Sequence, residues 1–185
     1  YNVAPTQFAQ VVFHDIEEGR RVADMMKWGL VPSWSKDISI GNRMINARSE
    51  TIAGKPSFRG PFKYRRCLIP ASGFFEWKQT SSGKKPFYFF QTESPLLGLA
   101  GIWDEFTDGE TVLHTYSIIT RAANPQMARY HHRMPVPIDS PDFSEWLSPD
   151  TGPREALDLL NVGAETRFDV QPVSTLVDNV RNDSP

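Results

Sequence analysis

Apolar residues along the chain recur mostly with a period of two, in short runs separated by turn-forming residues, which is the pattern of half-buried β-strands. Runs of this kind occupy residues 11–13, 25–31, 66–70, 74–78, 87–91, 97–103 and 111–120. Ser81-Ser82-Gly83 reads as a hairpin loop and Asp108-Gly109 as a tighter one, so the pairing should be largely antiparallel. Helix starts are marked at Asn124-Pro125, Ser140-Pro141 and Gly152-Pro153, where a capping residue or glycine precedes a proline whose missing N–H is not needed in the first turn. The expectation is an α+β protein: a curved, largely antiparallel β-sheet or open barrel with short peripheral helices placed mostly late.

Composition narrows the class without changing that picture. With 185 residues and 39% hydrophobic content, the chain suits a single globular domain over residues 1–185 with a real core. No run of about 18 apolar residues is present to span a bilayer, and Tyr1-Asn2-Val3-Ala4-Pro5-Thr6 has neither the basic nor the apolar part of a secretory signal. The expected protein is soluble. Cys67 is the one cysteine, so no intramolecular disulfide can form.

Charge is unevenly distributed beneath a net value of −2. Between residues 42 and 66, Arg43, Arg48, Lys55, Arg59, Lys63, Arg65 and Arg66 face Glu50 alone, whereas the stretch from Asp139 onward is strongly acidic. A basic block is a first footprint of polyanion binding, although a solvated mixed surface would read the same way.

Three polar clusters sit in apolar settings. Glu76 lies inside Gly73-Phe74-Phe75-Glu76-Trp77-Lys78, sharing a strand face with Phe74 and Lys78, while Phe75 and Trp77 share the other. In a cleft, desolvation would raise its pKa and make it a general acid or base; at a sheet edge it would be an ion-pair partner of Lys78 or an arginine. Asn46 and Arg48 likewise share one face of an extended segment, pairing an amide that can orient a reacting group with a fork that can hold phosphate. His131 and Arg133, extended by the following Pro135, repeat the combination with an imidazole. Adjacent His131 and His132 should point to opposite faces, and no metal-ligand spacing, phosphate loop, dinucleotide fingerprint or nucleophile elbow occurs. Cys67 reads as a buried, inert thiol. Trp28 reads as core, whereas Trp34 enters a polar loop where it could stack on an unpaired base.

Taken in order, Tyr1 to Thr6, Trp28-Gly29-Leu30-Val31-Pro32-Ser33-Trp34, Ile45-Asn46-Ala47-Arg48-Ser49-Glu50-Thr51, Arg66-Cys67-Leu68-Ile69-Pro70, the Glu76 strand and His131-His132-Arg133-Met134-Pro135 resemble the SRAP family of SOS-response-associated peptidases, or abasic-site processing proteins. The resemblance runs on to Asn179-Val180-Arg181-Asn182. It implies a DNA damage response protein that recognises an abasic site in single-stranded DNA and cross-links itself to the ring-opened aldehyde. In that family the α-amine of an N-terminal cysteine condenses with the aldehyde, its thiol closes a thiazolidine, and the initiator methionine is removed by self-processing. By position, Asn46 would orient the amine, Glu76 would relay protons and His131 would assist imine formation. Arg48, Arg133 and Thr120 would hold flanking phosphates, and Pro5, Asn2, Trp34 and Trp77 would meet neighbouring bases. The resemblance implies no metal, no cofactor and a monomer, cytoplasmic and nucleoid-associated in a bacterium or nuclear in a eukaryote. The Met-Cys-Gly opening of the family is absent from this sequence, so the chain as written should bind DNA without a stable cross-link; Tyr1 would offer at most an amine. A peptidase acting on other proteins and a noncatalytic single-stranded DNA binding module remain the alternatives.

Overall fold

The computed structural model of the chain describes residues 2–109, 111–163 and 165–182. Its strands are β1 (Phe8–Asp15), β2 (Arg20–Trp28), β3 (Asn46–Arg48), β4 (Arg66–Ala71), β5 (Phe74–Thr80), β6 (Gly83–Phe90), β7 (Leu97–Asp108), β8 (Thr111–Ala122), β9 (Arg133–Pro135), β10 (Pro137–Ile138) and β11 (Asp169–Pro172). The helices are α1 (Pro56–Tyr64), α2 (Phe143–Leu147) and α3 (Pro153–Gly163), with short 3-10 segments elsewhere. The larger sheet has the order β10-β7-β4-β1-β2-β8-β3, and the further pairing of β7 with β8 closes β7, β4, β1, β2 and β8 into a ring. The curved sheet expected from the sequence thus closes on itself. Most pairings are antiparallel; β2 and β3 meet β8 in parallel. A second sheet, β11-β6-β5, packs against the ring.

Strands β4 and β7 are buried on both faces, which is why they read as nearly continuous apolar runs. Leu68, Ala100, Ile102 and Ile119 face a core shared with the helices through Phe58, Phe62, Trp146 and Leu160. Cys67, Ile69, Leu99, Tyr116 and Ile118 face a second core shared with Phe89 and Phe168 of the small-sheet side. Cys67 is fully buried, and burial pushes its thiol well up, in keeping with an inert side chain.

Three local readings need correction. An early helix, α1, was not expected, because Gly60 and Pro61 interrupt its pattern; Lys55-Pro56 nevertheless carries the same proline-in-first-turn signal as the later helices. Asn124-Pro125 opens only a 3-10 turn at Met127–Arg129, where the Asn124 side chain accepts from the Met127 amide at 2.9 Å. The second strand also stops at Trp28, short of residue 31, because Gly29 turns at φ 127 and its Cα approaches the Gly41 backbone too closely for a side chain.

Arg66, 5% exposed, ties the helices to the ring. Its Nε donates to the Trp146 carbonyl at 2.8 Å, Nη1 to Phe62 and Lys63 at 3.0 and 3.1 Å, and Nη2 to Ser148 and Thr151 at 2.6 and 2.9 Å. All but Thr151, which lies in the turn ahead of α3, belong to the ends of α1 and α2, where the last helical oxygens lack partners within the helix. A lysine ammonium has three donors at one point and cannot reproduce the fork. Arg66→Lys should therefore destabilise the protein by about 2–3 kcal/mol, read as a lower urea midpoint at unchanged slope.

Candidate active site

The site is a cleft of about 880 Å³ between the ring and the second sheet, with the start of α1 as a third wall. Strand β3 supplies one side. Its register against β8 pairs Asn46 with Ile118 and Arg48 with Thr120, and burial of Ala47 turns the two polar neighbours outward together. Both line the cleft, and neither side chain has a hydrogen bond or ion pair among the described residues.

Strand β5 supplies the acid. Phe74 stacks on Phe89 at 5.2 Å and meets Phe168 edge-on at 5.1 Å, so the face carrying Phe74 and Glu76 is held toward the ring. Opposite it, Tyr130 packs on Phe87 and Phe89 at 4.8 and 5.2 Å, docking the 3-10 turn onto the small sheet. The next residue, His131, is thereby placed with Nδ1 at 3.3 Å from Glu76 Oε1. The same nitrogen lies 3.0 Å from the Arg133 carbonyl and 3.3 Å from the Arg133 amide. Carrying a proton, Nδ1 donates to the carbonyl beside the carboxylate and leaves Nε2 open to a ligand. Burial pushes the Glu76 carboxyl up; His131 and the Trp77 amide oppose that shift without cancelling it. Lys78, the alternative partner read from the strand face, instead places its Nζ 5.2 Å over the Tyr130 ring.

Arg133 lines the cleft, yet its fork is already engaged. Nη1 and Nη2 donate to the two Glu50 carboxylate oxygens at 2.7 and 3.0 Å, and Nη2 also donates to the Thr120 carbonyl at 2.6 Å. Nε is buried without a partner. The Arg133 hydrogen bonds hold the Glu50 carboxyl down at about 2, and the Ala122 amide donates to it as well. Thr120 is 8% exposed and also lines the cleft.

Asn46, Arg48, Glu76, Thr120, His131 and Arg133 thus converge. Pro5, Asn2, Trp34 and Trp77 are not among the lining residues. Trp34 stands 61% exposed in its loop. Trp77 donates to Asp178 Oδ1 at 2.7 Å and Asn2 to the Val177 carbonyl at 3.0 Å, so the N-terminal segment and β5 share one anchor, the turn Thr175–Asp178. Tyr1 lies outside the described residues. The His131 and His132 rings do not diverge as expected: their centroids are 4.3 Å apart, because the chain leaves its turn there and is not yet strand. Among the described residues no group of three or more His, Cys, Asp and Glu is gathered to hold a metal ion.

The sequence had not singled out Glu50, Tyr130, Arg43 or Lys55. Arg43 and Lys55 join Arg48 around the cleft, where Glu76 is the one carboxylate of the lining. Their signal lay in the basic block, which the fold divides: Arg65 is paired with Asp104 and Arg66 is buried in helix ends.

Compared with known families, residues 1–180 match the SOS response associated peptidase (SRAP) family. The chain belongs to that family. It is 39% identical over 188 residues to the abasic site processing protein YoqW of Bacillus subtilis (strain 168), covering 100% of this chain and 83% of that protein. It is 35% identical over 217 residues to the abasic site processing protein HMCES of Gallus gallus, covering 100% of this chain and 64% of that one. Among solved structures, a protein from Bacteroides thetaiotaomicron superposes with a TM-score of 0.84 at 27% identity, over 96% of this chain and 79% of its own. SRAP membership accounts for the ordered motifs, and the mixed fold with a barrel-like sheet is the one its structural neighbour shares.

The Glu50–Arg133 pair gives a measurable signature. A folded pKa of about 2 below an ordinary 4.5 means the stabilisation is complete above 4.5 and lost as pH falls toward 2. Because the carboxylate is 46% exposed, solvent screening limits the pair to about 1 kcal/mol. Glu50→Gln should cost that much near neutral pH, and denaturant midpoints of variant and wild type should converge near pH 2.

Proposed function

We propose that this SRAP protein processes abasic sites in single-stranded DNA, holding the ring-opened sugar in the cleft while an N-terminal cysteine joined ahead of residue 1 condenses with the aldehyde. The observation that supports this most directly is the convergence of Asn46, Glu76 and His131, from three separate segments, in a cleft whose lining holds Arg43, Arg48, Lys55 and Arg133 against Glu76 as its one carboxylate. The names of the relatives point the same way. Cys67, the one cysteine present, is buried in the core and offers no free α-amine.

In the proposed reaction the cysteine amine adds to the aldehyde carbon and the carbinolamine loses water, forming an imine. The thiol then adds across the carbon–nitrogen double bond and closes a thiazolidine, with its proton passing to the ring nitrogen. The condensation needs a proton delivered to the departing hydroxyl and withdrawn from the amine. A carboxyl whose pKa is raised by burial can do both near neutral pH, and Glu76 is so raised. His131, beside it, steadies the carboxylate form between transfers. The unpartnered Asn46 amide is free to orient the amine. Arg48, whose side chain has no partner among the described residues, supplies donors for a flanking phosphate. Rather than acting as an open clamp, Arg133 is stiffened by Glu50, which makes it a fixed donor.

The decisive test is denaturing electrophoresis of single-stranded DNA with one abasic site, using the chain as given and the chain extended by an N-terminal Cys-Gly. A denaturation-resistant band with the extended protein alone is expected. If neither forms a band while both bind the strand, the reading falls to a noncatalytic binding module; cleavage of a generic protein substrate that Glu76→Gln abolishes would instead favour a peptidase. In the extended protein, Glu76→Gln should slow cross-linking by about 10²–10⁴-fold. The fold should not suffer. With a raised pKa, the stability that Glu76 contributes is present below its unfolded value and lost as pH rises through the folded one, so removing the charge should leave the thermal midpoint unchanged or higher at alkaline pH.

A further inference from the structure

Lys55, Arg59 and Lys63 follow one another at four-residue intervals, from the N-cap of α1 through its length. Residues at that spacing form one ridge of a helix, here spanning about 12 Å at 1.5 Å per residue. All three are exposed, and none of their side chains has a hydrogen bond or a carboxylate partner among the described residues. The helix itself carries no acid. The ridge begins in the cleft, where Lys55 is part of the lining, and ends beside a separate hollow of about 320 Å³ lined by Arg59, Lys63 and Tyr64. Tyr64 is 62% exposed, with Lys63 Nζ 4.7 Å over its ring.

A bland solvated helix face would be expected to intersperse both signs; this one presents cations alone, continuous with the site, and closes on an exposed aromatic. Flexible cations along a track with an aromatic platform match a single strand held by its phosphates and by stacking, without readout of base edges.

We propose that the strand leaving the cleft runs along α1, with Lys55, Arg59 and Lys63 meeting successive phosphates and Tyr64 stacking on a base at the far end. This rests on the strand-binding reading of the cleft and extends the interface beyond the lesion.

The test compares wild type with Arg59→Gln/Lys63→Gln by fluorescence anisotropy on undamaged oligodeoxythymidine. One probe, of about fifteen nucleotides, is long enough to occupy cleft and ridge, and one of about five fills the cleft. Two lost phosphate contacts should flatten the salt dependence of log K on the long probe by about 1.4, shrinking the wild-type advantage about sevenfold between about 50 and 200 mM salt. The short probe, and Lys84→Gln/Lys85→Gln on β6 as a charge control, should follow wild type. Tyr64→Ala should weaken the long probe several-fold by an amount that salt does not change. Parallel salt slopes would overturn the proposal, as would an equal loss with the control pair, which would mark a general field, or an equal loss on the short probe, which would put these residues in the cleft itself. In the Cys-Gly-extended protein, cross-linking of a short abasic probe should be unaffected by Arg59→Gln/Lys63→Gln; absence of cross-linking in every variant, with the slope difference intact, would fault the lesion chemistry and leave the ridge standing.

Discussion

A half-buried guanidinium, that of Arg133, crosses from one strand to another and holds the site together. β8 runs first between β7 and β2 within the ring, then leaves it at Ile118 to lie between β3 and β9. Arg133 bridges these three paired strands, reaching from β9 to the Thr120 carbonyl and on to Glu50 just past β3, while the same carbonyl accepts the Ser49 amide at 2.9 Å. Removing Glu50 would leave Arg133 held by Thr120, a modest loss because the carboxylate is 46% exposed and screened by solvent. Arg48, Thr120 and His131 all hang from the segments that this contact ties.

Charge in this protein is sorted by depth. The basic block of the sequence contributes one cation to the interior of the helix layer, one to a buried aspartate and the rest to the cleft and the α1 surface. Arg66 is satisfied by neutral carbonyls at helix ends, whose partial negative charge replaces a counterion. The cations left over are those without a structural task, and they gather where Glu76 is the one acid of the lining. A near-neutral protein can therefore present a positive face to a polyanion.

Local chemistry was legible in the sequence and long-range pairing was not. Period-two apolar runs gave the strands, and the same period put Asn46 and Arg48 on one side, because side-chain alternation is a property of the backbone itself. Glu76 could be recognised as a buried acid but not paired with His131, since that contact depends on Tyr130 docking onto β6. Glu50 and Arg133 stand 83 positions apart, and nothing local to either announces the other. Helix α1 was hidden by a glycine and a proline that burial of Phe58 and Phe62 overrides. Trp77, read as a base contact, spends its indole N–H on Asp178, a partner that only folding brings near.

No backbone ladder among the described residues joins the small sheet to the ring. The acid therefore rides on one sheet and the amide on the other, and side-chain contacts set the spacing between them: the aromatic rings, the reciprocal Gln126–Phe168 hydrogen bonds and the Glu76–His131 contact. Hydrogen-bonded strands keep their separation almost rigidly, whereas packed faces can slide by small shear motions without breaking a bond. The width of the cleft, and with it the Glu76–His131 distance, is thus set by how two sheets settle against each other.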